Sequence, residues 1–416
     1  MILYFAVRNF RCFADEVVLD LAPKLRTNLP PDGATWRNVT ERTAAVFGPN
    51  ASGKSTLLDA MKALAVALQL PGSSAIRQPS MSRTDDPDAV TGYRVGFVGT
   101  DDVRYEYEVE AADWGIRREE LISYPKGTRR LLFRRFRAAE EDDAQFVAGP
   151  SLSGPTEEVR RITQPVMLYL ATANKYRHKG LLPAIRALLR GVGIVHLDLR
   201  ERLTEDMLRR VVMEMVKAPG QQEDLARGLL AAADVGITGV SIHSEKIPGH
   251  VLEQVRRILQ AINDGDDPGE DSLPPLVDVV EFVHSCGDGE SFMLPVEWES
   301  AGTIAWLVVS WHVLGVLRRG GVLLIDELDA SLHPSLARYV VELFGSTNLN
   351  RRGAQLVFTT HDASLLSNSP TKVLEPRSVW FAEKSRNGHS ELYSMADFDN
   401  RERNNNEKRY LAGKFG

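Results

Sequence analysis

The chain is 416 residues long, 43% hydrophobic and 25% charged. That length suits two or three compact units or one elaborated unit, and the composition argues against a disordered, fibrous or membrane-embedded chain. Fifty Lys and Arg against 56 Asp and Glu leave a net charge of −6, so any contact with nucleic acid must come from a local basic patch. The two cysteines, Cys12 and Cys286, form no CxxC pair; this argues against a disulfide framework or a structural zinc site and suits a reducing cytosol. The apolar run Met1–Val7 stops at Arg8 and Asn9, too short for a targeting core.

Ile2–Val7 and Val17–Leu21 read as short strands, and Thr43–Phe47 as a small apolar strand running into Gly48. Leu57–Leu70 has the apolar density of a packed helix. Tyr93–Val98 and Val103–Val109, the second alternating with period two, flank an Asp-Asp turn and predict a hairpin. Periodic apolar residues in Leu181–Leu189, Met207–Val216, Leu225–Ala233 and Val251–Ile262 predict a mainly helical insertion. The turn-rich acidic run Asp264–Asp271 closes it. Strands return at Val277–His284, Phe292–Glu297, Val322–Ile325, Leu356–Thr360 and Val379–Ala382. The apolar stretch Ile304–Leu317 contains Ser310 and His312, falls short of the roughly 20 residues of a bilayer span, and reads as a buried helix. The tail is polar up to Glu407 and then regains Tyr410, Leu411 and Phe415.

Gly48-Pro49-Asn50-Ala51-Ser52-Gly53-Lys54-Ser55 is a complete GxxxxGK[ST] string between an apolar strand and a helix. Backbone N–H groups of such a loop curl around phosphates, with Lys54 as a point charge, the Ser55 hydroxyl on Mg²⁺, and Thr56 in the first helical turn. Gly321–Glu327 (GVLLIDE) is a buried strand ending in two carboxylates. Asp326 is placed to hold the Mg²⁺ shell and Glu327 to polarise the attacking water. The strand Gln355–Thr360 delivers His361, which can hydrogen-bond the γ-phosphate and hold that water, or be an ordinary partly buried histidine.

These strings in this order resemble the ATP-binding-cassette ATPases, most closely the RecF-like and OLD-like branch often described as AAA ATP-binding proteins. The resemblance rests on Ile2–Phe13 (ILYFAVRNFRCF) as the first strand, Glu299–Thr303 (ESAGT) as the signature, and Leu328–Pro334 (LDASLHP) as the D-loop with Asp329. His361 in TTHD is similar to the switch histidine. Leu230–Ile237 and Tyr410–Gly416 also look like this branch. It implies an α/β P-loop ATPase head, residues 1–150 and 273–416, split by the helical insertion 151–272. It also implies ATP and Mg²⁺ as cofactors and a head-to-tail dimer in which Ser300 and Gly302 act on the partner's nucleotide. ESAGT alone also fits a helix-capping turn, and Ala301 departs from the usual Gly or Asp. Gln69 and Gln164 are the candidates for the Q-loop glutamine.

Arg117, Arg118, Arg129, Arg130, Arg134 and Arg135 crowd one strand-rich segment, and Lys175, Arg177, His178 and Lys179 form a second basic cluster. Either can meet phosphate backbone; a solvated face paired with Glu140–Asp143 is the equally simple alternative. Asn174-Lys-Tyr-Arg177 lacks the Asp of a guanine-binding NKxD, and the stretch after His361 is too short for a Toprim nuclease domain. The resemblance therefore implies a cytoplasmic ATPase switch working in phage defence with a separate nuclease or toxin, or alternatively a RecF-like repair ATPase that binds DNA itself.

Overall fold

The computed structural model describes residues 1–23, 25, 27–72, 76–83, 89–191, 195–198, 228–229, 237–246, 249–262, 276–285, 290–295, 298–330, 332–369, 371–398 and 405–415. The chain divides into two compact units, residues 1–201 with 315–416, and residues 202–314. The expected limits of the insertion, 151 and 272, therefore differ from the observed division. Residues 151–201 belong to the first unit and 273–314 to the second. The expected helices Met207–Val216 and most of Leu225–Ala233, and the acidic run 264–271, lie outside the described residues.

In the first unit, β1 (Ile2–Arg8), β2 (Val17–Asp20) and β3 (Thr43–Phe47) precede the helix Lys54–Gln69. β4 (Thr91–Val98), β5 (Arg104–Ala112), β6 (Gly115–Ser123), β7 (Arg130–Phe136) and β8 (Gln145–Ala148) follow. These form an antiparallel sheet in the order β2-β1-β4-β5-β6-β7-β8. Its β4–β5 pairing is the hairpin expected from the alternation, with Tyr93 opposite Val109.

The second sheet of this unit, in the order β16-β15-β3-β14-β13-β9, adds β9 (Val195–Asp198), β13 (Val322–Asp326), β14 (Gln355–Thr359), β15 (Val379–Lys384) and β16 (Ser390–Ser394). β15, β3, β14, β13 and β9 run parallel and β16 antiparallel. β3, β13 and β14 are buried at every position, as continuous apolar runs in a parallel sheet covered on both faces must be. β9 falls where a helical insertion was expected; four residues are too few for periodicity to mark a strand, and its pairing with β13 decides it.

The helix Lys54–Gln69 buries Leu57, Leu58, Ala60, Met61, Leu64 and Leu68. It packs on β13 and β14 and against the helix Tyr169–Lys175, which is why its apolar surface is wider than one stripe. Burying each large side chain contributes about 1.5–3 kcal/mol. Gln355 joins the two sheets: its amide donates to Ile2 O (2.8 Å) and accepts from Ile2 N (2.7 Å). The chain's last helix, Asn406–Leu411, brings Tyr410 onto Phe47 and Phe381, and buried Phe415 stacks on Phe381.

The second unit holds an antiparallel meander of β10 (Ile237–Lys246), β11 (Leu276–Ser285) and β12 (Ser291–Pro295), with the helix Gly249–Ile262 between β10 and β11. The helix Ala301–Arg319 begins here. It is long and apolar enough to cross a membrane by length and composition, yet Trp306, Val309 and Val313 are fully buried in the protein, as expected of a core helix.

Candidate nucleotide site

The loop between β3 and the helix Lys54–Gln69 has a backbone that only glycine allows at two points. Gly48 has φ +152°, and a Cβ there would lie 2.2 Å from Ala382 O. Gly53, the left-handed N-cap at φ +105°, would place a Cβ 2.9 Å from Cys12 Sγ. Pro49, Asn50 and Ala51 form an exposed rim over buried Ser52, Gly53 and Lys54. Lys54 Nζ donates to Gly48 O (2.9 Å) and Pro49 O (3.0 Å), curling the loop around its own ammonium. Burial pulls this ammonium below the usual lysine range, opposed by the charges of Glu327, Asp326 and Asp329.

β13 ends at Asp326, and the buried carboxylate links three elements. Its Oδ1 accepts from Ser55 Oγ (2.9 Å) and from Thr359 Oγ1 (2.6 Å). The same Thr359 hydroxyl accepts from Glu327 N (2.7 Å). Glu327 has φ +51°, a conformation that costs a non-glycine residue about 1–3 kcal/mol and that clusters at functional sites. Two residues further along the chain, Asp329 accepts from His361 N through both oxygens (3.1 and 3.2 Å), and the His361 residue itself is exposed. β14 lies between β3 and β13 in the sheet, so Thr359 and His361 emerge between the P-loop and the acidic strand end.

The residues fit ATP and Mg²⁺. Ser52 Oγ is buried without a hydrogen-bond partner among the described residues, inside a loop of the shape that receives phosphate oxygens. Lys54 has spent two of its three donors on the loop. Ser55 and Asp326 offer two adjacent hard oxygens, the small protein share that Mg²⁺ takes beside phosphate and water.

Residues 44–367 match the family described as AAA domain, putative AbiEii toxin, Type IV TA system. The chain belongs to this AAA family. No curated protein matches it. Among solved structures it is similar to the SMC head domain from Thermotoga maritima, at 11% identity and TM-score 0.43 over 94% of this chain and 98% of that one. It is also similar to an SMC head bound to the C-winged helix domain of ScpA, at 13% identity and TM-score 0.43 over 94% and 97%. This AAA-family chain is a P-loop ATPase with an α/β fold.

Other expected residues fall differently. In this AAA protein, Arg118, Arg129 and Arg134 all bind Glu120, which is 2% exposed. Arg135 is buried and donates to Met167 O and Gln164 O. Four of the six clustered arginines thus have partners within the protein, yet Arg129 and Arg134 keep side-chain exposures of 54% and 43%, and Arg130 is exposed. In the second cluster, Lys175, Arg177 and Lys179 are exposed while His178 is buried, paired with Thr156 Oγ1 (3.0 Å). Gln69 ends the P-loop helix about 22 Å from Lys54 at 1.5 Å per residue and cannot reach the phosphates; the Gln164 carbonyl is held by Arg135. Ser300, in the second unit, caps its helix: the Oγ accepts from Thr303 N (3.1 Å) and meets Thr303 Oγ1 (2.9 Å). Sequence reasoning missed Thr359, which the doubled threonine before His361 signals.

Proposed function

We propose that the chain binds ATP with Mg²⁺, hydrolyses it, and acts as a switch that closes as a head-to-tail dimer. The observation that supports this most is the Ser55–Asp326–Thr359–Glu327 hydrogen-bond chain. It ties the P-loop hydroxyl, the metal-facing carboxylate and the general base to one threonine. In this reading Lys54 meets the β- and γ-phosphates, Ser55 and Asp326 hold the cation, Glu327 takes a proton from the attacking water, and His361 orients that water. Ser300 and Gly302, exposed and half-buried at the N-terminus of the long helix Ala301–Arg319, contact the nucleotide of the second copy through hydroxyl, backbone and helix dipole. Asp329, tied to His361 N, carries the state of the dimer face to the switch.

We propose work in anti-phage defence in the cytoplasm beside a separate nuclease or toxin effector; the family description carries toxin and Type IV TA system wording, and the effector is part of the proposal. The free thiol Cys12 agrees with a reducing compartment. The alternative is direct DNA binding as in a repair ATPase; Glu120 shares its one charge among Arg118, Arg129 and Arg134, whereas exposed Lys175, Arg177 and Lys179 are a second place to seek an acidic partner. The test is Glu327→Gln: the variant binds ATP, turns over slowly and accumulates as a dimer on a sizing column with ATP. Full turnover by a monomeric Glu327→Gln protein at saturating ATP refutes the switch.

A further inference from the structure

We infer that His284 is a positioning residue for the Ser300–Gly302 turn and acts through Glu299; this rests on the signature assignment proposed above. All the residues concerned lie in the second unit. His284, near the end of β11, brings Nε2 to 2.7 Å from Glu299 Oε1, with side chains only 10% and 5% exposed. The imidazole also lies parallel to the ring of Phe292 on β12, at 5.1 Å and 17°. In the strand register, His284 stands opposite Phe292.

The ring is therefore fixed on a face by β12 and at an edge by Glu299. Glu299 immediately precedes Ser300, so anchoring its carboxylate to the sheet fixes where the cap enters the helix. From the other side, Thr303 N and Oγ1 hold Ser300 Oγ, and Ile304 N donates to Ser300 O (3.0 Å). The exposed Ser300 is thus clamped between the β-meander and the first helical turn. A group that must meet a phosphate from another molecule gains from such preorganisation, because a loose turn spends ordering entropy at the moment of binding. Removing one partner of a buried hydrogen-bonded pair also strands the other, so the turn moves rather than merely loosening.

The experiment compares Ser300→Ala, His284→Ala and His284→Gln in the full chain. It reads ATP affinity by titration of a fluorescent ATP analogue, steady-state kcat and KM, and hydrogen exchange of the 298–304 amides. In His284→Ala, ATP affinity stays within about twofold, kcat falls at least about tenfold and the 298–304 amides exchange faster; a tenfold loss corresponds to about 1.4 kcal/mol. His284→Gln retains an N–H donor towards Glu299 and restores most of kcat. If His284→Ala does not fold, Glu299→Ala, which removes the pair from its other side, takes its place: kcat at least about tenfold lower with ATP affinity within about twofold is expected, and unchanged kcat overturns the inference. Ser300→Ala at full turnover overturns the signature assignment together with the inference. Loss of turnover in Ser300→Ala with unchanged kcat in His284→Ala overturns the inference alone.

Discussion

Thr359 bonds Asp326 and Glu327, the proposed metal ligand and general base, with one hydroxyl, and Thr359→Val tests that arrangement. The residue is fully buried, and valine keeps its branched shape while deleting the oxygen. The donor bond to the Asp326 carboxylate (2.6 Å) and the acceptor bond from Glu327 N (2.7 Å) are both lost. A hydrogen bond to a charged group contributes about 1.5–3 kcal/mol, and the half-buried Glu327 N–H that loses this acceptor adds about 1 kcal/mol. Asp326 keeps Ser55 Oγ, so the lower half of that range applies and we expect about 3 kcal/mol of lost stability. The left-handed backbone of Glu327 (φ +51°) also loses the bond that offsets its strain, so the carboxylate shifts and kcat falls at least about tenfold, while ATP affinity changes less. Urea unfolding reads the first effect as a lower midpoint at unchanged slope, and coupled ATPase kinetics read the second. Thr359→Ser, which keeps the hydroxyl, stays close to wild type in both. A valine variant with an unmoved midpoint and kcat within twofold would falsify the shared-hydroxyl account.

Two other outcomes follow from the same geometry. Gly53→Ala places a methyl 2.9 Å from Cys12 Sγ at φ +105°, and such backbone strain costs about 1–3 kcal/mol. Fluorescent-nucleotide titration should show at least about a tenfold weaker ATP affinity, and affinity within twofold would mean that the loop has slack. Burial pushes the Glu120 carboxyl up, but hydrogen bonds from Arg134 and Arg118 outweigh it and hold it below the ordinary 4.5. With the folded value below the unfolded one, this stabilisation is fully present above about pH 4.5 and is lost as pH falls through the folded value. Thermal melts should show Glu120→Gln well below wild type near neutral pH, with the gap narrowing under acid; a gap that is constant with pH contradicts the triple-arginine linkage.

The parts of the fold that were legible in the sequence are those that local chemistry writes. The P-loop string needs its glycines within one turn, β3 and β13 are continuous apolar runs because both their faces are covered, and β4–β5 alternate around a turn. The candidate site residues Lys54, Ser55, Asp326 and Glu327 stand in strings of the same local kind, although the bonds Ser55–Asp326 and Thr359–Glu327 that tie the site together were not readable. The arginines show the limit. Arg118, Arg129 and Arg134 are spread along two strands and a turn, and only the β6–β7 register, which sets Glu120 opposite Arg134, reveals that they share one acid. His178 likewise looked like part of a basic cluster until its burial beside Thr156 was seen. Thr359 was passed over because its role depends on β14 lying between β3 and β13, a property of sheet order that no local spacing carries.

That sheet order sets a schedule for the newborn chain. Thr43 pairs with Leu356, and Ala45 with Val379, so the strand that launches the P-loop waits for partners synthesised much later in the chain. A nascent chain with the whole GxxxxGK[ST] motif has no pocket, and ATP cannot act as a folding ligand until β13 to β15 have arrived. Meanwhile β3 has two bare edges and an apolar face, the condition that invites wrong pairing. Closure of so long a loop also makes the parallel sheet slow to form. Competence to bind nucleotide is therefore a late checkpoint of biosynthesis, passed only after β15 has been made.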